Sequence, residues 1–475
     1  MRRYGCVAAL LVLLSAMAIA PAALAGPPGK WTRVTGIEGV AAVNTDELGL
    51  ERTADGILHI AWARQAGGIA DVLLHSAVSA NAKSVSGPDP ILAAANNGIN
   101  PSVELVAGPS GSLRVLFAGL FPETPIDQVM SSATAPAAGA PWSAPEPVSN
   151  TGVATASKVY IASGIGGAVS PAGLTAFAWG DSGPSEGGYH LGLDPLALDT
   201  PFSNALERDP NVAFDQQSGA AYVAWNVLGG AGAGNSLMIL PVGAGGPVTA
   251  PKSGSTGIGD RVSISGRIGA GGVYVAYGYG SNQFIGKPAL WRIGAPKVKV
   301  AKNYRGAEHI GLAPAPGGRL WIYWERDGRL YASRSNASAT NLGTLVSPKP
   351  PKGTKTVYRL QGEGSHGPLD LLALADAKGG LGFFHQRVLP GLKLTAKPKV
   401  TKAGKAVTFR VTDAGAAVKG AKVQLKLGKK KLTKKTNGKG MATVKLSTAT
   451  NPGKYTATAR RGGYTKATIK VRVKG

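Results

Sequence analysis

A seven-residue pattern that recurs seven times constrains the fold of this chain most strongly. Each copy has a glycine, an alternation of apolar and other residues, and a ring side chain six residues after the glycine, as in Gly56–Trp62. The alternation predicts a β-strand with one buried face, and the glycine predicts the tight turn before it. Self-similar strand units about 54 residues apart are typical of a β-propeller. The later copies end at Phe117, Trp179, Trp225, Tyr277, Trp324 and His385.

Further strands flank each copy, so one unit is predicted to be a meander of three or four antiparallel strands. The segment Trp31–Val34 resembles an outer edge strand and precedes the first full copy. It is expected to complete the last blade and close the ring. The fold class is therefore all-β, with a six- to seven-bladed β-propeller over residues 26–388. The recurrent rings are expected to form the core between blades, because packing requires the same residue type at equivalent positions.

Over residues 30–388 the chain resembles the sialidase-like or BNR-like β-propellers of secreted bacterial proteins. The resemblance rests on the repeated glycine-to-aromatic strand. The Ser-x-Asp-x-Gly-x-x-Trp turn of that family is absent from every copy, so the resemblance implies the fold and not the sialidase reaction.

A step in charge divides the chain near Pro390-Gly391. Residues 391–475 hold 23 Lys or Arg and one acid, Asp413, whereas residues 1–390 hold 29 basic and 25 acidic residues. The basic segment alternates strongly, as in Ala421–Leu427, and Asn437-Gly438 is a hairpin signal. We expect an immunoglobulin-like β-sandwich over 392–475, and the segment resembles the bacterial Ig-like domains of surface proteins, which implies a spacer or adhesion role.

The basic segment is predicted to bind polyanions, because a field of a single sign concentrates polyanions and binds them with salt-dependent affinity. The densest run of lysines in this segment is predicted to supply the residues that contact the polyanion. Anionic cell-envelope polymers or polysaccharides are the expected partners. The predicted polyanion-binding residues are Lys429, Lys430, Lys431, Lys434 and Lys435.

The N-terminus predicts export. Met1-Arg2-Arg3 precedes an apolar run over 7–20, and Ala23-Leu24-Ala25 is a small-x-small cleavage signal. This order is typical of a secretory signal peptide over 1–25. The one cysteine, Cys6, lies inside it, so neither a disulfide nor a cysteine metal site is expected. The predicted localisation is extracellular, with peripheral attachment to the cell envelope.

Catalytic motifs are sparse. The six histidines have no metal-binding spacing, and the sequence predicts neither a metal site nor a cofactor. Ser185 matches Gly-x-Ser-x-Gly but lies in a Pro/Gly-rich loop rather than between a strand and a helix. A glycosidase needs two carboxylates that face one cleft, and no spacing pairs any of the candidates. These candidates are Asp181, Glu186, Asp209, Asp215, Glu325 and Asp327.

Three functions remain open on the sequence alone. The first is a non-catalytic exported binding protein, whose propeller recognises a glycan or protein and whose basic domain attaches to anionic polymers. The second is a glycan-active enzyme with its site at the propeller channel, which a carboxylate pair of raised pKa would favour. The third is an exported nucleic-acid-binding protein.

Aromatic residues on loops are the candidate contacts for a propeller ligand. They are Tyr189, Tyr279, Trp291 and Tyr304.

Overall fold

The computed structural model describes most of the chain as strands and turns, and the described residues contain no helix. None of them therefore forms a helix long and apolar enough to cross a bilayer. The predicted signal peptide, Ser185 and Glu186 lie outside the described residues. The described ranges are 29–35, 48–66, 69–93, 102–108, 110–121, 124–147, 164–181, 188–193, 197–198, 207–227, 236–253, 262–280, 286–301 and 303–474.

Short antiparallel sheets follow one another along the first part of the chain. An N-terminal strand, β1 (Thr32–Arg33), precedes them. The first sheet comprises β2 (Gly49–Arg52), β3 (Leu58–Ala66), β4 (Ile69–Val78) and β5 (Val85–Ala93). The second comprises β6 (Val103–Ala107), β7 (Leu113–Phe121), β8 (Thr124–Ala135) and β9 (Glu146–Pro147). The third comprises β10 (Ile165–Val169), β11 (Thr175–Asp181), β12 (Gly188–Leu193) and β13 (Ala197–Leu198).

Four more sheets continue the same arrangement. The fourth comprises β14 (Glu207–Phe214), β15 (Ala221–Val227), β16 (Ser236–Pro241) and β17 (Val248–Thr249). The fifth comprises β18 (Ser263–Arg267), β19 (Ala270–Tyr279), β20 (Lys287–Arg292) and β21 (Val298–Val300). The sixth comprises β22 (Glu308–Ala315), β23 (Arg319–Arg326) and β24 (Arg329–Arg334). The seventh comprises β25 (Thr356–Glu363), β26 (Leu369–Ala377) and β27 (Gly380–Val388), and β1 adds to it.

The sheets are arranged around a common axis. The first strand of each sheet contacts the first strand of the next, and β25 contacts β2, so the ring closes. Strand β1 completes the last sheet by pairing with β27, with Thr32 opposite His385. This architecture is a β-propeller, and the prediction that Trp31–Val34 closes the ring is confirmed. Crowding at the axis requires small residues. A Cβ on Gly166 of β10 would lie 2.4 Å from the Cα of Asn211 in β14.

Six of the seven predicted repeats are equivalent, and the seventh is not. The frames that end between Trp62 and Trp324 occupy the second strand of six sheets, and their rings are at most 2% exposed, which confirms them as core. The frame Gly379–His385 instead occupies β27, the third strand of its sheet. The equivalence predicted for it is wrong. The turn between β26 and β27 also needs glycines, and Gly379 and Gly380 both have positive φ there.

The basic segment forms two sheets that enclose one core. The smaller sheet comprises β28 (Lys393–Lys397), β30 (Ala406–Asp413), β31 (Ala416–Ala417) and β34 (Met441–Lys445). The larger comprises β29 (Val400–Lys402), β32 (Lys422–Leu427), β33 (Lys430–Lys435), β35 (Gly453–Arg460) and β36 (Ala467–Lys474). Inward-facing residues such as Phe409, Leu425 and Val471 are fully buried between them. The described chain is thus all-β, as predicted: a propeller followed by a β-sandwich.

The sandwich is joined to the propeller by its one acid. The carboxylate of Asp413 is 2% exposed and accepts hydrogen bonds from Nη2 of Arg334 at 2.6 Å and Nη1 of Arg319 at 3.2 Å. The Arg334 guanidinium lies 5.7 Å from the ring centroids of both Trp321 in the propeller and Tyr464 in the sandwich. The pair is shielded from solvent, so loss of one partner would leave the charge of the other uncompensated.

Candidate functional site

The outer face of the larger sandwich sheet carries ten basic residues among the described positions. Alternation turns Val423 and Leu425 of β32 into the core and sends the residues between and beside them into solvent. The same alternation holds along β35 and β36. We call the exposed side of this sheet the cationic face. Its basic residues are Lys402, Lys422, Lys426, Lys431, Lys435, Lys454, Arg460, Lys470, Arg472 and Lys474.

Strand register sets like charges directly opposite one another on the cationic face. Lys422 opposes Lys435 and Lys426 opposes Lys431. The same holds for Lys454 with Arg472 and for Lys402 with Lys474. Directly opposed like charges destabilise a sheet, since their Cβ atoms are only about 5 Å apart. No acid stands on this face in the described chain, because Asp413 is turned towards the propeller. The repulsion is therefore not relieved within the sandwich.

The five predicted lysines are all exposed, but they do not share one face. Lys431 and Lys435 oppose Lys426 and Lys422 and belong to the cationic face. Lys430 and Lys434 alternate with them and lie on the side of Leu432, which packs against the core. Lys429 lies in the β32–β33 turn. The predicted residues leave out the cations of β29, β32, β35 and β36, because lysines at alternate positions are less conspicuous in a sequence than an unbroken run.

The aromatic ligand candidates have different surroundings from those expected. Trp291 lies in β20, is 4% exposed, and donates its indole N–H to the carbonyl of Ala295 at 2.7 Å. Its predicted loop position is wrong, because it forms part of a core between sheets. Tyr304 packs on Trp324 with ring centroids 5.2 Å apart. Tyr279 ends β19, half-buried, with the Lys252 ammonium 5.9 Å from its ring. Tyr189 lies in β12, and its side chain is outside the described part.

The propeller channel holds a cavity of about 130 Å³ that polar and aliphatic residues of several inner strands line. Two of these residues connect neighbouring sheets. The Asn211 amide donates to the carbonyl of Val262 at 2.8 Å. His309, at φ 50° in a β-bulge, contacts the carbonyl of Val357 at 3.2 Å through Nε2. Bulges re-aim side chains, and here they join one inner strand to the next.

Carboxylates from three sheets interact with one another, and one of them, Glu104, lines this cavity. Burial raises the pKa of Glu51 well above its usual value, and the negative charges of Glu363 and Glu104 raise it further. Arg52 on the same strand pairs with Glu363 at 2.8 Å and with Asp370. This raised pKa belongs to one carboxyl group, whereas the enzyme alternative expects a pair, and none of the carboxylates predicted from sequence takes part.

The carboxylates predicted from sequence are mainly turn residues. Asp215 accepts hydrogen bonds from the backbone N–H of Gln217 and Gly272. Glu325 accepts one from Gly328 across a hairpin turn that also holds the exposed Asp327. Asp209 is buried in the bulge of β14, at φ 55°. Asp181 ends β11, and its side chain is outside the described part. No group of three or more potential metal ligands occurs among the described residues.

A buried polar chain lies at the seam between the first and last sheets. Asp370 accepts hydrogen bonds from His385 at 2.7 Å and from Arg387 at 2.9 Å, in addition to pairing with Arg52. Burial alone would raise the pKa of Asp370, but the His385 hydrogen bond and the neighbouring cations outweigh it and lower the pKa to about 2. Nearby, His59 and His75 stack with their ring nitrogens 2.9 Å apart. Burial, reinforced by the charge of His75, lowers the pKa of His59 to about 4.

Comparisons with known proteins show similarity in structure only. No protein-family model and no curated protein matches the sequence. Among solved structures, a polysaccharide lyase is similar over 75% of this chain and 92% of its own, at 9% identity and a TM-score of 0.45. A lectin in complex with alpha-methyl fucoside is similar over 66% and 98%, at 12% identity and a TM-score of 0.41. YCF48 bound to the D1 peptide is similar over 77% and 99%, at 10% identity and a TM-score of 0.40. We infer no function from similarities of this size.

Proposed function

We propose that this chain is an exported, non-catalytic binding protein that attaches to anionic polymers of the cell envelope through its cationic face. The observation that carries the proposal is the row of like charges opposed across neighbouring strands, such as Lys426 with Lys431. A sheet face of this kind is costly unless counter-ions occupy it. A bound polyanion releases those counter-ions, and this release is a large source of affinity at low salt.

The composition of the cationic face favours a polymer without bases. Sequence-tolerant binding of single-stranded nucleic acid relies on aromatic platforms for stacking. Phe409 is buried in the sandwich core, and Tyr455 and Tyr464 pack against that core from its edges. The outward positions between the cations are mainly Thr and Gln, such as Gln424, Thr433 and Thr458. Acidic polysaccharide or a polyol phosphate fits this surface better than nucleic acid, and the propeller is left to recognise a glycan or protein.

The test removes four charges from the cationic face and compares the result with a variant of equal net charge. The face variant carries Lys422→Gln, Lys426→Gln, Lys431→Gln and Lys470→Gln. The control carries Lys397→Gln, Lys405→Gln, Lys439→Gln and Lys445→Gln, all exposed and all outside the larger sheet. The full chain is applied to immobilised heparin and eluted with salt.

The face variant is expected to elute at clearly lower salt than the wild-type chain and the control. The slope of log affinity against log salt should fall by about three, at roughly 0.7–0.9 per lost contact. If the control and the face variant lose affinity equally, only net charge matters and a defined binding face is refuted.

The second candidate function, glycan cleavage at the channel, is favoured by the raised pKa of Glu51 beside Glu104. A carboxyl group of raised pKa keeps its proton to higher pH than an ordinary glutamate and can serve as a general acid. The test is hydrolysis or elimination of acidic and neutral polysaccharides by the wild-type chain, with Glu51→Gln and Glu104→Gln as the variants. Turnover that both substitutions abolish would establish an enzyme. Turnover that neither changes would exclude this site.

A further inference from the structure

The propeller and the sandwich enclose a crevice of about 730 Å³ that belongs to neither alone. One wall is the propeller segment 341–344, and the other is the outward side of the smaller sandwich sheet. We call this space the interdomain crevice. Its volume lies in the range of typical small-ligand sites, which occur preferentially where two domains meet.

Two cations and two hydroxyl groups form a square on the sandwich wall of the crevice. Lys393 of β28 opposes Thr412 of β30, and Thr395 opposes Arg410. All four alternate with core residues such as Leu394 and so face away from the sandwich interior. Lys393 and Arg410 are diagonal neighbours, which places their Cβ atoms about 7–8 Å apart. Their long side chains can therefore reach one anionic group together.

The propeller wall is already held in place. Asn336 accepts hydrogen bonds from the backbone N–H of Thr340 and Asn341 and so fixes the preceding loop. Gly343 donates to the carbonyl of Arg334 at 2.8 Å, and a Cβ on Gly343 would lie 3.3 Å from that of Ala414. The two walls also touch where Thr344 bridges Gly391. A ligand would therefore meet a prepared site and lose little affinity to ordering it.

The chemistry of the lining points to one class of ligand. It supplies two cations, hydroxyl groups from threonines, the amide of Asn341 and short apolar surfaces at Leu342 and Ala414. No carboxylate is among the described residues that line it. An acidic sugar has the matching features: one carboxylate or sulfate, several hydroxyl groups and a C–H face. We propose that the interdomain crevice binds an acidic sugar residue, a selectivity that goes beyond the attachment of polyanions to the cationic face.

The experiment measures binding of trigalacturonate to the full chain by calorimetry, with maltotriose as the neutral probe and triphosphate as the probe without sugar. The crevice variant carries Lys393→Gln and Arg410→Gln. Its control carries Lys397→Gln and Lys445→Gln, which lie on the same sheet outside the crevice lining. The wild-type chain and the control should bind trigalacturonate alike and prefer it over both other probes by about tenfold or more. The crevice variant should lose at least about tenfold, since it lacks two charge-assisted hydrogen bonds.

Two more variants separate this proposal from the proposed function. Asp413→Asn weakens the contact that holds the two walls together, so it should weaken trigalacturonate binding and leave heparin retention unchanged. The four-lysine variant of the cationic face should do the opposite. Unchanged trigalacturonate binding in the crevice variant, or equal binding of triphosphate, would overturn the crevice proposal while the polymer attachment stands.

Discussion

The exposed lysines of strand β33 allow an experiment that removes two charges from either side of the same strand. The two variants have the same net charge and differ only in the direction of the lost side chains. One variant carries Lys431→Gln and Lys435→Gln, whose side chains share the cationic face with Lys422 and Lys426. The other carries Lys430→Gln and Lys434→Gln, on the opposite side of the same edge strand. Both variants lose two charges within the same six residues. Any difference between them therefore reports the direction of the side chains and not the charge of the hairpin.

The expected size of the difference follows from counter-ion release. Each phosphate-like contact contributes roughly 0.7–0.9 to the slope of log affinity against log salt. Two lost contacts lower the slope by about 1.6. If the affinities of the variants converge near 1 M salt, where screening acts within about 3 Å, the outward pair costs about 15- to 30-fold at roughly 0.15 M. The inward pair is expected to cost no more than a few-fold, through the long-range field alone.

The assay is a salt titration of binding to fluorescent heparin, followed by anisotropy, with the full chain and both double variants. Thermal melts of each variant serve as the folding control. No loss of stability is expected because all four lysines are exposed, and the outward pair should melt slightly higher because it relieves two like-charge contacts. Equal losses in the two variants would refute the reasoning, because the hairpin would then act as a diffuse charge. A larger loss for Lys430 and Lys434 would place the binding surface on the other side of the edge strand.

Three further predictions concern the propeller. The neutral form of His59 is favoured in the fold, with a pKa of about 4 against about 6.5 when unfolded, so the free energy of unfolding should fall by about 3 kcal/mol as the pH drops from 6.5 to 4. Urea titrations across this range check it, and His59→Gln should flatten the dependence. Gly311→Ala puts a Cβ 2.0 Å from the Tyr323 ring and should destabilise by about 1–3 kcal/mol, whereas Gly246→Ala, in open space, should not. Arg33→Met removes three hydrogen bonds from β1 and should lower the melting temperature by several degrees, and an unchanged melt would mean that β1 contributes little to closure.

The sequence carried the local geometry of the propeller but not the order of strands within its last sheet. A glycine followed by alternating residues specifies a turn and a strand, and this was enough to identify six equivalent second strands. The same local pattern occurs at Gly379, where the turn leads into a third strand, because backbone sterics are the same in both turns. Trp291 shows the same limit. Its neighbours permit a loop, and only the packing of the fifth sheet against the fourth buries it.

The proposed sites depend on long-range contacts that could not be predicted from the sequence. Alternation predicts that Lys426 faces solvent, but its position opposite Lys431 depends on the register that the β32–β33 turn sets. Glu51 and its neighbour Glu363 lie on strands that are more than 300 residues apart in the chain. Lys393 and Arg410 are brought together by the pairing of β28 with β30. The opposite wall of their crevice belongs to the propeller. Cross-strand and interdomain neighbours depend on how the strands pair and the domains pack, and no local sequence pattern encodes this.

The position of Asp413 links the two proposed binding surfaces. An acid on the larger sheet would neutralise part of the cationic face, whereas Asp413 pairs with Arg319 and Arg334 of the propeller. The face thus keeps its full charge, and the same ion pairs hold together the walls of the interdomain crevice. In the proposed scheme the face captures a polymer without selectivity. Capture then raises the effective concentration of its acidic sugars at the crevice, so a weak, selective site is filled because the strong, unselective one holds the chain nearby.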